Sequence, residues 1–131
     1  MIQEDKNLIL KDLCARLPYG VKVKGYSGKT DTLTLGNCDL VSMFYKDEDN
    51  WYCKPYLRQM DSMTDEELEA YHNLCFEEER EVCEYGEWIT KVYYHDTIYS
   101  IDWLNKNMFD FRGLIPKDLA LSTDEYNPYK N

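Results

Sequence analysis

The residues whose types could do chemistry gather in one acidic stretch. His72, Cys75 and Glu79 stand at i, i+3 and i+7, so a helix through them would present all three on one face to a metal ion. Cys83 or His95, further on, could complete the set only if the tertiary fold brings it there. Zinc takes three or four protein ligands, and two on one helical turn leave the set incomplete. A cysteine nucleophile with His72 or His95 as base is available by residue type, but no local signature places a histidine beside a thiol outside the Cys75 segment. Cys75 alone reads as a small buried hydrophobe.

Two other runs imitate known sites. Gly28-Lys29-Thr30 looks like the end of a phosphate-binding loop, yet the position five residues before Gly28 holds Val23, and a strand pattern follows instead of a helix. Asp47-Glu48-Asp49 suggests calcium but lacks the ligand spacing and the glycine of a calcium loop, so it reads as a solvated hairpin tip. The expectation is a chain with no catalytic set, no cofactor and no metal.

Charge is more informative. The 131 residues carry 25 acidic and 15 basic side chains, a formal net charge of −10. Between Asp61 and Glu87 stand eleven acidic residues and one basic residue, Arg80, which accounts for the whole net charge. Arg16, Lys22, Lys24 and Lys29 occupy an acid-free stretch from Ala15 to Thr30. Such a chain repels a phosphate backbone on average, which argues against direct nucleic-acid binding. An acidic face is either a solubilising surface or one that meets a basic protein partner. Glu77, Glu78 and Glu81 are the exposed candidates for that contact.

The elements that position these residues follow from periodicity. Ile9, Leu10, Leu13, Cys14 and Leu17 make one apolar face of an N-terminal helix within 1–20, which Pro18 stops. From 21 to 58 the period changes to two: Val21–Lys24, Thr32–Leu35, Leu40–Tyr45 and Trp51–Tyr56 read as a β-meander, with Pro55 suited to an edge or an end. Residues 63–84 read as an acidic helix. Thr64 and Glu67 form its capping box, Met63 and Leu68 its staple, and Leu68, Tyr71, Cys75 and Val82 its buried stripe. Gly86 breaks that pattern, and Glu87–His95 reads as a strand.

The stretch 97–121 is the densest apolar segment and reads as a helical clasp. Asp96 or Thr97 caps a helix from Ile98, with Ile98, Ile101, Leu104 and Met108 on one face and Trp103 beside them. Phe109–Gly113 is a turn, and Pro116 opens a last short helix. Asp110 and Arg112 lie between inward-facing aromatics, which predicts that Arg112 is held by a carboxylate, either Asp110 or one from the acidic helix. The competing expectation is that Arg112 and Trp103 form an exposed anchor for a partner. Residues 122–131 read as a polar tail that frays.

The fold expected is therefore α+β in one domain: a four- to five-stranded antiparallel curved sheet or partly open barrel, with N-terminal, central acidic and C-terminal helices packed against it. Five cysteines, an odd count without C-x-x-C, point to reduced thiols and a cytoplasmic setting. No apolar run reaches the ~18 residues of a bilayer span, and the acidic start Met1-Ile2-Gln3-Glu4-Asp5 is unlike a targeting segment.

Ile101-Asp102-Trp103-Leu104-Asn105, Phe109-Asp110-Phe111-Arg112-Gly113-Leu114-Ile115 and Leu119-Ala120-Leu121 together resemble the tail of a family of short bacteriophage and mobile-element proteins from gut bacteria. Leu17–Val23, Lys54–Arg58 and Met63–Glu67 are similar to the same family. The resemblance implies a genomic setting and carries no activity, ligand or catalytic residue. The leading expectation is a non-catalytic module acting through protein contacts. The alternatives are a small cysteine- or metal-dependent enzyme and a self-assembling structural protein, with the oligomeric state left open.

Overall fold

The computed structural model describes residues 3–25, 28–34 and 54–130. The expected strand at Leu40–Tyr45, the tip at Asp47–Asn50 and the start of the Trp51–Tyr56 strand lie outside the described residues. The architecture is α+β, with one mixed four-stranded sheet and one two-stranded antiparallel sheet. The chain packs as two compact units, residues 1–62 with 105–131, and residues 63–104.

The first unit begins with α1 (Gln3–Arg16), whose first turn holds Glu4 and Asp5 and whose last turn holds Arg16, each matching the helix dipole. Its buried residues are Ile9, Asp12, Leu13 and Arg16, at i, i+3, i+4 and i+7. The inward face is thus rotated from the expected apolar one, and Leu10 and Cys14 are exposed. The reason is that Asp12 and Arg16 pair side by side and enter the interior together. Pro18 tightens the chain into a 3-10 turn, Leu17–Tyr19, and Gly20 ends it with φ 73°, a left-handed conformation that costs glycine little.

The sheet runs in the order β2-β1-β3-β6, from β1 (Lys22–Lys24), β2 (Thr30–Thr32), β3 (Lys54–Leu57) and β6 (Leu121–Ser122). β1 pairs antiparallel with β2 and β3, whereas β3 and β6 are parallel, Tyr56 opposite Leu121 and Leu57 opposite Ser122. The purely antiparallel meander is corrected here: a C-terminal segment supplies an outer strand, and the described strands form no closed barrel. β3 is an interior strand, and Pro55 is tolerated in it because the β6 ladder starts only at Tyr56.

The core of this unit joins Ile9 and Leu13 of α1, Val21, Val23, Leu33 and Leu57 of the sheet region, and Met108, Leu114, Leu119 and Ala120 from the C-terminal stretch. That stretch closes the core, though not as drawn from periodicity. After Pro116 the chain makes turns, closed by Lys117 N–H to Leu114 O at 3.2 Å and Asp118 N–H to Ile115 O at 3.0 Å, and no further helix forms there. The tail is docked. The Tyr129 hydroxyl accepts from Lys22 N–H at 2.9 Å and donates to Tyr56 O at 2.8 Å, and Tyr126 meets the Tyr56 ring edge-on at 5.6 Å.

In the second unit, α2 (Asp65–Leu74) carries the expected capping box: Glu67 N–H donates to Thr64 Oγ1 at 3.2 Å and Thr64 N–H to Glu67 Oε1 at 3.1 Å. The acidic helix does not continue to 84. It ends at Leu74, and Phe76–Val82 is a strand, β4, paired antiparallel with β5 (Trp88–Tyr94). A helix would stack four glutamates within adjacent turns, where like charges repel. The strand spreads them over two faces and sets Glu79 opposite Lys91. The β-rich partner Trp88–Tyr94 overrides the helical propensity of glutamate. α3 (Ile98–Lys106) follows. Thr97 caps it, with Thr97 N–H to Ser100 Oγ at 2.7 Å and Ser100 N–H to Thr97 Oγ1 at 3.1 Å. Along α3 Ile98 is exposed, Ile101 half-buried and Leu104 buried, so the expected stripe holds only in its C-terminal part.

Candidate functional site

The residues with chemical potential separate into three places. The first is a buried ionic cluster in the first unit. Asp12 accepts Arg16 Nε–H at 3.0 Å on both carboxylate oxygens and Arg112 Nη1–H at 2.7 Å. Arg112 Nη1 also donates to Asn105 Oδ1 at 2.9 Å, and Arg16 Nη2 to Phe109 O at 2.5 Å. Both guanidinium groups lie near the Phe111 ring, at 5.7 Å for Arg16 and 4.2 Å for Arg112. Burial pushes the Arg16 pKa down, against the pull of Asp12. Arg112 is thus held by a carboxylate, but the partner is Asp12, not Asp110 or an acid of the 61–87 stretch. Asp110 instead accepts Leu114 N–H at 2.8 Å and Ile115 N–H at 2.9 Å, and so closes its own turn. Asp110 and Arg112 are both committed to the interior.

The second place is the junction of α2 and α3 within the second unit. Asp96 accepts the Tyr71 hydroxyl at 2.5 Å, Ser100 Oγ–H at 3.2 Å and the Cys75 thiol at 3.9 Å. Thr97 Oγ1 donates to Leu74 O at 2.7 Å, tying the end of one helix to the start of the next. Partial burial and then the Asp96 carboxylate push the Tyr71 phenol up. Trp103 is half-buried and rests on Tyr71, ring centroids 5.9 Å apart. His95 turns away to Glu77 and to the Asp96 carbonyl, contacts that raise its pKa, the carbonyl contact first. Glu79 leaves the proposed helical face altogether, since it lies on β4, so His72, Cys75 and Glu79 share no face. Among the described residues no three His, Cys, Asp or Glu side chains gather as metal ligands.

The third place is the β4–β5 hairpin. Cys83 N–H bonds Glu87 O at 2.9 Å and Gly86 N–H bonds Cys83 O at 3.0 Å, with Gly86 at φ 78°. This is the three-residue hairpin turn that ends in a left-handed glycine. Strand alternation then sorts the side chains. One face carries Glu77, Glu79 and Glu81 opposite Tyr93, Lys91 and Ile89. Lys91 bridges to Glu81, and His95 to Glu77. The other face carries Phe76, Glu78, Arg80 and Val82 opposite Tyr94, Val92, Thr90 and Trp88. There the Phe76 and Tyr94 rings meet edge-on at 5.8 Å, and Arg80 lies 5.6 Å from the Trp88 ring.

Every residue of β5 is exposed, and of β4 only Glu81 is half-buried. Trp88 is 66% and Tyr94 71% exposed. A two-stranded sheet is marginal by itself, and an aromatic patch open to water is the kind of surface that marks an interaction site. Of the residues expected to meet a partner, Glu77 and Glu81 share one face of this hairpin, Glu78 lies on the other, and Trp103, Asp110 and Arg112 lie elsewhere. Sequence reasoning misses the aromatic face, because helical spacing also fits Leu68, Tyr71, Cys75 and Val82. The turn Glu84-Tyr85-Gly86 before a β-rich run was the available signal. Comparison with protein-family models, with curated proteins and with solved structures finds no match for this chain.

Proposed function

We propose that this protein is a non-catalytic binding module of phage or mobile-element type, and that the β4–β5 hairpin engages a basic protein partner in the cytoplasm. The observation that carries this reading is a hairpin of two seven-residue strands exposed on both faces, with three glutamates aligned on one and Phe76, Trp88 and Tyr94 on the other. Carboxylates arrayed at strand spacing attract a cationic surface and speed encounter, while Phe76, Val82, Trp88 and Tyr94 offer the apolar area that holds it. The same charge opposes self-assembly through this hairpin, since two copies would bring like charges together.

The test is tryptophan fluorescence during titration with polylysine at low and high salt, with Trp88→Phe subtracting the signal of Trp51 and Trp103. Binding should weaken as salt rises. Replacing Glu77, Glu79 and Glu81 by Gln should weaken it far more than replacing the exposed Glu66, Glu69 and Glu125 by Gln, although the charge change is the same. Equal losses from the two sets would show that net charge, and not the hairpin, does the binding.

A further inference from the structure

We infer that the hairpin takes up its partner by strand addition: an extended segment with basic residues at alternate positions pairs along the outer edge of β4, which has no partner strand among the described residues. The inference rests on the reading above that the hairpin meets a basic protein, and it specifies the form that protein presents.

The backbone of the hairpin dictates which groups are on offer. His95 N–H bonds Cys75 O at 3.1 Å, and Cys83 N–H bonds Glu87 O at 2.9 Å. These two pairs bracket the ladder, so the odd-numbered residues between them turn their amides and carbonyls toward the partner strand. The even-numbered residues turn theirs outward. Along β4 these are Phe76, Glu78, Arg80 and Val82, and along β5 they are Trp88, Thr90, Val92 and Tyr94, all exposed. Each edge is a row of donors and acceptors at strand spacing, which is what an added strand requires.

Charge selects between the two edges. A strand laid beside β4 has its alternate side chains next to Glu77, Glu79 and Glu81; cationic side chains there meet Glu79 directly and share Glu77 and Glu81 with His95 and Lys91. The intervening side chains fall on the other face, against Phe76 and Val82 at its two ends and Glu78 and Arg80 between them. A strand laid beside β5 would set the same cations against Lys91, which repels them. Charge also disfavours a second copy of this chain as the occupant: β4 against β4 would bring the glutamates of both copies together, and β5 of a second copy would offer one cation, Lys91, which already bridges to its own Glu81. The occupant is therefore a cationic strand from another protein, with basic and apolar residues in alternation.

A capped seven-residue peptide of alternating lysine and valine, matched to the length of β4, is titrated into the whole protein and followed by tryptophan fluorescence, with Trp88→Phe subtracting the signal of Trp51 and Trp103. A second peptide has the same composition with its lysines in one block. Two further versions of the first are N-methylated, each on one alternate set of amides. In an extended strand successive amides point to opposite sides, so one methylated version keeps the bonds to β4 and the other loses them. Binding by the alternating peptide should exceed that of the block peptide. One methylated version should bind like the parent and the other at least about tenfold more weakly. Glu79→Lys, checked for native circular dichroism, should lose the peptide. If all four peptides bind alike with strong salt dependence, strand addition is wrong and the electrostatic reading stands. If none binds, both fail.

Discussion

Replacing Asp12 by Ala should destabilise the protein more than any other single change in the ionic cluster. Asp12 is fully buried and is the common acceptor for Arg16 and Arg112, whose side chains are 0% and 9% exposed. Without it the two guanidinium groups remain in the interior and lose the carboxylate they share. Removing one partner of a buried pair costs about 3–5 kcal/mol, because the charge left behind is uncompensated. For a chain of this size that corresponds to roughly 10–20 °C in melting temperature. Arg112→Ala leaves Asp12 with both bonds from Arg16, so its cost is that of charge-assisted hydrogen bonds, about 1.5–3 kcal/mol. The double variant should cost less than the sum of the singles, since deleting Arg112 removes one of the stranded cations. Urea unfolding followed by circular dichroism measures all three, with unchanged m-values as the check that unfolded states are comparable. A loss below ~1 kcal/mol for Asp12→Ala, or a larger loss for Arg112→Ala than for Asp12→Ala, would refute the account of Asp12 as the hub.

Two other outcomes follow from the same geometry. Tyr129→Phe removes a hydroxyl that serves Lys22 N–H and Tyr56 O at once, and should cost about 1–3 kcal/mol. Burial pushes this phenol from its ordinary value of 10.0 up to about 12, so the stability it contributes is complete below pH 10.0 and is lost as pH rises toward about 12. The Phe variant should show a shallower alkaline loss, and an identical slope would contradict the docking of the tail. Leu104→Ala, at a side chain with 0% exposure, should cost roughly 2–5 kcal/mol by transfer and cavity terms, and an unchanged denaturation midpoint would show that α3 is not anchored there.

What the sequence by itself determined is local. The Thr64–Glu67 box, the cap at Thr97, the stop at Pro18 and the strand at Trp88–Tyr94 depend on residues within a few positions of one another, and each formed where its chemistry placed it. Tertiary structure decided the rest, because pairing energy between distant segments outweighs intrinsic preference. Phe76–Val82 became a strand only by meeting β5. Asp12 and Arg16 read as the polar side of α1, yet they are buried because Arg112, 100 residues from Asp12, brings a second cation to the same carboxylate. Leu121–Ser122 became a strand because Tyr56 and Leu57 offered an edge. The candidate site shows the same division. The acidity of the stretch was legible residue by residue, whereas the alignment of Glu77, Glu79 and Glu81 on one face, with Glu78 turned to the aromatics on the other, follows from a period of two that only the pairing with β5 imposed.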